Sequence, residues 1–178
     1  MANYITVSRV LLLFPIILFI SGDDNFSNWI ALGLFLLAGL TDHIDGYVAR
    51  KTNTTSDLGA LLDLIADKLL ICITLLYLLS YSNNIDLIVP SLIIVARELI
   101  VSSIRQFLAE SPARNQIKVS YIAKSKTTLQ IISLSFLIIS PNYDGFFYFV
   151  TTILFWLTSL ISIYSLYDYL KIYKNFMK

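Results

Sequence analysis

Asp42, Asp45, Asp63 and Asp67 fall within 26 residues of a chain that is otherwise strongly apolar, in the stretch TDHIDGYVARKTNTTSDLGALLDLIADK from Thr41 to Lys68. A carboxylate in an apolar segment of membrane length is costly and persists only where it pairs, binds a cation or lines a hydrated cavity. Asp42 and Asp45 are three apart and Asp63 and Asp67 four apart, so in helices each pair shares a face. Carboxylate oxygens are hard ligands suited to Mg²⁺, Mn²⁺ or Ca²⁺, and two such ions balance four negative charges. Mg²⁺ commonly keeps coordination positions open for substrate phosphates, so the constellation points to chemistry on phosphate. The competing reading is a set of buried ion pairs or a proton relay, with Arg50, Lys51 and Lys68 as partners.

The neighbouring residues bear on that choice. Gly46 and Ala49 follow Asp45 on the same side, and Gly59 lies one turn before Asp63. A glycine inside a helix costs about 1 kcal/mol against alanine. Small residues let a helix or a ligand approach closely, which ion pairing alone does not require. Arg50 stands at the rim, where a guanidinium can grip phosphate through two hydrogen bonds.

The elements that must carry these groups read as membrane helices. The chain has 178 residues, 57% of them hydrophobic and 14% charged, against about 25% charged in a soluble domain. Mean hydropathy is +0.74. A spanning helix needs ~20 mostly apolar residues, and six segments qualify: Tyr4–Ser21, Ser27–Arg50, Asp57–Tyr81, Ile85–Ala109, Tyr121–Ser140 and Phe146–Tyr173. The expectation is an all-α integral membrane protein with six transmembrane helices, forming one membrane domain over residues 1–178. The first apolar run lacks a basic lead and a small-residue cleavage site, so it reads as a retained anchor. A single cysteine, Cys72, excludes an internal disulfide.

Short Asn-, Asp-, Gly- and Pro-containing turns join the segments, and Ser56 is placed to cap the third helix. The turns after segments one, three and five carry Asp23, Asp24, Asp86 and Asp144 but no lysine or arginine. Basic residues collect at the alternate ends, at Arg50, Lys51, Arg105, Arg114, Lys118, Lys124, Lys126, Lys171, Lys174 and Lys178. The positive-inside rule then puts both termini in the cytoplasm. The two aspartate pairs, on antiparallel neighbours joined by a short turn, are expected at one depth near the cytoplasmic interface.

The spacing D-x2-D-G-x2-A-R-x8-G-x3-D-x3-D, at residues 42–67, resembles the signature of the CDP-alcohol phosphotransferases at all eight positions. That resemblance implies six transmembrane helices, a homodimer and an active site open to the cytoplasm. It implies two divalent cations, Mg²⁺ or Mn²⁺, held by Asp42, Asp45, Asp63 and Asp67, with Asp67 also the general base. It assigns the CDP moiety to Gly46, Ala49, Arg50, Ser56 and Gly59.

The rest of the chain resembles the bacterial branch of this family that uses glycerol 3-phosphate as acceptor. NYITVSR matches its N-x-x-T-x-x-R entry through Asn3, Thr6 and Arg9, and similar stretches run over Ala96–Glu110 and Val119–Gln130. The likeness implies transfer of a phosphatidyl group from CDP-diacylglycerol to sn-glycerol 3-phosphate at a bacterial inner membrane. Thr6 joins the nucleotide residues, and Arg9 joins Arg97, Arg105, Lys124 and Lys126 in an acceptor pocket. Leu64 and His43 depart from the usual pattern without touching an expected ligand.

An anionic acceptor needs fixed cations, and Arg97, Arg105, Lys124 and Lys126 collect at the expected cytoplasmic ends of segments four and five. Arg97 lies about mid-helix, where an arginine is costly and usually functional. Glu98 is adjacent but turned about 100° around the helix, so the two need not pair. Other acceptors remain open: phosphatidylglycerol, serine or inositol phosphate. A cation transporter is the reading from another class, but no inverted repeat or broken helix is visible and the acids crowd one membrane face. No aromatic and basic surface suggests nucleic acid.

Overall fold

The computed structural model is all-helical. It describes residues 2–22, 24–52, 57–82, 84–109, 121–140 and 145–176; within these, the side chains of 2–7, 42–52, 57–58, 60–61, 63, 108–109, 121–124, 172 and 175–176 lie outside the description. Six helices occur among the described residues: α1 (Ala2–Ile20), α2 (Asn25–Thr52), α3 (Asp57–Ser80), α4 (Ile85–Ala109), α5 (Tyr121–Ile138) and α6 (Gly145–Phe176).

These match the six apolar segments, and the bounds of α4 agree with the reading at both ends. The early start of α2 has a local cause. The Asp24 carboxylate accepts a hydrogen bond from the Ser27 N–H at 3.3 Å, and the Asp24 carbonyl accepts one from Asn28 at 3.2 Å. Asp24 is thus the N-cap, and the helix begins two residues before the apolar run does. At α4 the Asn84 carbonyl accepts from Leu87 and Ile88, and Asp86 sets negative charge against the helix's positive end. Gly145 opens α6 at φ +70°, a left-handed value that suits glycine.

Large apolar side chains point outward on every helix; Leu18 is 71% exposed and Phe146 76%. Soluble monomers rarely show so much apolar surface. Polar groups are buried instead, among them Arg9, Arg97, Glu98, Lys126 and Gln130. A hydrocarbon solvent favours this distribution. Ile85–Phe107 and Gly145–Lys171 are long and apolar enough to cross a membrane, and Ser8–Ile20 and Asn25–Thr41 are shorter apolar helices.

By packing, the chain divides into two units. The first comprises Met1–Ser82 with Leu134–Asp144, the second Asn83–Ser133 with Gly145–Lys178. In the first, α1 packs on both α2 and α3, and α2 also meets α3. The buried face of α1 repeats every three or four residues as Arg9, Leu13, Ile16 and Ile20. Ala31, Phe35 and Ala38 form that of α2, and Ala66 and Leu70 belong to that of α3.

In the second unit α4 packs against α6. The buried face of α6 is Thr151, Phe155, Thr158, Ser162, Ser165 and Tyr169, again at spacings of three and four. Small hydroxyl residues let membrane helices approach closely and bond across the interface. Ser133 of α5 and Thr158 of α6 make such a bond at 3.0 Å.

Candidate active site

Asp67 is the one signature aspartate whose side chain is described. It follows the buried Ala66 on α3, yet its own side chain is 44% exposed. Its Oδ1 accepts a hydrogen bond from Arg9 Nη1 at 3.0 Å, and the Arg9 side chain is fully buried. Arg9 stands one turn before Leu13 on the α1 face that enters the core, so the docking of α1 carries the guanidinium onto α3. A buried arginine needs an acid close by, and Asp67 supplies it. Arg9, expected among the acceptor cations, lies against this carboxylate.

The α2 backbone carries Asp42, Asp45, Gly46, Ala49 and Arg50 in its C-terminal portion, and α3 carries Gly59 and Asp63 ahead of Asp67. The side chains of Asp42, Asp45, Ala49, Arg50, Asp63 and Thr6 lie outside the description, as does Ser56 altogether. Gly59 is half-buried. The donor set fits a hard divalent cation: all four groups are carboxylates, they sit on two helices that touch, and the Asp67 carboxylate is exposed enough to reach a ligand.

The second unit brings together two of the expected acceptor residues, Arg97 and Lys126, with Glu98 and Ser165. Arg97 Nη2 donates to Ser165 Oγ at 2.7 Å and Arg97 Nη1 to Glu98 Oε1 at 3.3 Å, while the Lys126 ammonium pairs with the same Glu98 oxygen. Although helical geometry does not require it, Arg97 and Glu98 do pair. Both side chains are long, and both bend toward the point where Lys126 enters from α5. Two cations thus share one carboxylate in a buried, net positive trio.

Arg105, two turns further along α4, is exposed. The Lys124 side chain lies outside the description. Gln130, one turn beyond Lys126, is 2% exposed, and its amide nitrogen and oxygen have no hydrogen-bond partner among the described residues. Ser165 and Gln130 were missed. The available signal was the hydroxyl repeat Thr158, Ser162, Ser165 on one face of α6.

A helical chain with large apolar side chains facing outward and ionised side chains buried among its helices is a membrane protein that keeps charged groups inside. A family model described as CDP-alcohol phosphatidyltransferase matches residues 1–164. The chain is similar to proteins named CDP-diacylglycerol–glycerol-3-phosphate 3-phosphatidyltransferase. That of Rickettsia typhi is 38% identical over 177 residues, covering 98% of this chain and 97% of its own length. That of Rickettsia felis is 39% identical over 176 residues, with 98% and 95% covered. That of Haemophilus influenzae is 33% identical over 173 residues, with 97% and 92% covered. The chain belongs to the CDP-alcohol phosphatidyltransferase family.

Proposed function

We propose that this protein transfers a phosphatidyl group from CDP-diacylglycerol to sn-glycerol 3-phosphate, giving phosphatidylglycerophosphate and CMP in phospholipid synthesis. The observation that carries this reading is near full-length similarity to relatives bearing that activity in their names. The eight-position signature at 42–67 supports the same chemistry.

In this reading Asp67 is the general base. It takes the proton from a glycerol hydroxyl, whose oxygen attacks the phosphorus attached to diacylglycerol. The bond from that phosphorus to the bridging oxygen breaks, and CMP leaves with the electron pair. Asp42, Asp45, Asp63 and Asp67 would hold two divalent ions, Mg²⁺ or Mn²⁺, which when bound neutralise the diphosphate and the departing charge. Thr6, Gly46, Ala49, Arg50, Ser56 and Gly59 are assigned to the CDP moiety. Arg97, Arg105, Lys124 and Lys126 are assigned to the acceptor phosphate, and of these Arg105 is exposed. Phosphoryl transfer depends mostly on positioning and electrostatics, which these groups supply.

Six spans, cytoplasmic termini, an active site facing the cytoplasm of a bacterial inner membrane, a single domain and a homodimer complete the proposal. They rest on the alternation of charged turns and on the family resemblance. The test is metal-dependent CMP release by the purified protein in detergent. Glycerol 3-phosphate, phosphatidylglycerol, serine and inositol phosphate are each supplied in turn. Release with glycerol 3-phosphate alone is expected. Release only with another alcohol would reassign the acceptor, and none with any alcohol would remove the transferase reading.

A further inference from the structure

We propose that Arg9 is a positioning residue that sets the orientation of the Asp67 carboxylate, and that it does not bind the acceptor phosphate. The proposal rests on the functional reading above. It starts from accessibility: the Arg9 side chain is fully buried, whereas Arg105 is exposed. What separates Arg9 from the buried Arg97 and Lys126, which pair with Glu98, is its partner. Its guanidinium is already directed at a carboxylate, with Nη1 3.0 Å from Asp67 Oδ1.

The two partners are held to different degrees. Arg9 shares a helix face with Leu13, Ile16 and Ile20, all buried, so its course is set by the packing of α1. Asp67 is half-exposed, and an aspartate in that setting has several rotamers open to it. A contact from a rigidly packed guanidinium selects among them. The pair also couples the orientation to the fold, because separating α1 from α3 would strand a buried charge. Reacting groups displaced by about 1 Å can lose on the order of 100-fold in rate, so such a constraint has a kinetic consequence.

The test uses the full chain in detergent micelles and compares wild type, Arg9→Gln and Arg9→Lys. Each is measured for CMP release against glycerol 3-phosphate concentration, and for Mn²⁺ binding by electron paramagnetic resonance with no substrate present. For Arg9→Gln, kcat is expected to fall on the order of 100-fold with the KM for glycerol 3-phosphate unchanged. Arg9→Lys should recover part of kcat, because an ammonium can still reach the carboxylate. Mn²⁺ binding to Arg9→Gln should weaken, since a misdirected Asp67 is a poorer ligand.

A raised KM at unchanged kcat would make Arg9 an acceptor ligand and overturn the proposal. Unchanged kcat per folded molecule, or unaltered Mn²⁺ binding, would leave Arg9 a purely structural charge and overturn it equally. Should Arg9→Gln fail to fold, Arg9→Lys decides by the same criteria, with an intermediate loss of kcat expected. A wild-type protein that releases no CMP would overturn the functional reading and this inference with it; an active wild type with unaffected variants would overturn this inference alone.

Discussion

The ammonium of Lys126 on α5 meets the carboxylate of Glu98 on α4 inside the second unit, with only 3% and 5% of the two side chains exposed. Arg97 closes on the same oxygen and anchors its other nitrogen on Ser165 of α6. One carboxylate therefore ties residues from all three helices of that unit. A buried ion pair says little about net stability as it stands, but removing one member leaves charge stranded in a poor solvent. Glu98→Gln strands two cations at once. The expected result is a loss of about 3–5 kcal/mol, measured by thermal or denaturant unfolding in detergent. A midpoint equal to wild type would show that the trio does not hold the unit together.

Arg105 offers the complementary case. It is exposed, so Arg105→Ala should change stability by no more than about 0.5 kcal/mol. Its effect should appear in the KM for glycerol 3-phosphate, which is expected to rise more than that for CDP-diacylglycerol. Equal effects on both substrates would remove Arg105 from the acceptor assignment.

Asp67→Asn keeps the shape of the side chain and an oxygen for Arg9, but removes one negative charge and the proposed base. CMP release should fall to background while the helical content and much of the nucleotide affinity remain. Circular dichroism and CDP-lipid binding on the same preparation check both halves of that expectation. Appreciable turnover would mean that another group takes the proton.

For Asp42→Ala, the Mg²⁺ or Mn²⁺ concentration giving half-maximal activity should rise, and CDP-diacylglycerol binding should weaken with it. The two move together because the diphosphate and the carboxylates would share the same ions. An unaltered metal titration would exclude Asp42 as a ligand. Chelation by EDTA is expected to abolish activity in wild type, and added Mg²⁺ or Mn²⁺ to restore it.

Helix contacts in the first unit can be tested without touching the chemistry. Ala31 is completely buried on α2, so Ala31→Leu should overpack the first unit and cost about 1–3 kcal/mol. Gly33 lies two residues away, and a Cβ built there meets nothing within 4 Å. Gly33→Ala should be tolerated and should stabilise α2 by roughly 0.5–1 kcal/mol. Unfolding midpoints of the two variants check the contrast; similar values would contradict the assigned face of α2.

Much of the fold was legible because it is written locally. Apolar runs of spanning length, broken by SGDDN, KTNTTS, SNN and PNYDG, mark six helices within a few residues of their ends. The Asp24 cap shows where a local signal went unread: an aspartate three residues before Ser27 is an N-cap pattern hidden inside an acidic turn. The aspartate spacing was equally legible, since shared faces follow from helical period alone.

The pairings of the charged groups were not. Arg9 and Asp67 are 58 residues apart, and nothing in either neighbourhood states that α1 docks on α3 with that register. Arg97 and Glu98 are adjacent, and helical geometry alone would keep them apart; a third charge from α5 draws them together. The sequence by itself determined that this chain is helical, lives in a membrane and carries four aspartates at helical spacing, because length, hydropathy and period are properties of short segments. Only the tertiary structure decided which cation answers which acid and which stays exposed, because burial and ion pairing depend on how separate helices pack.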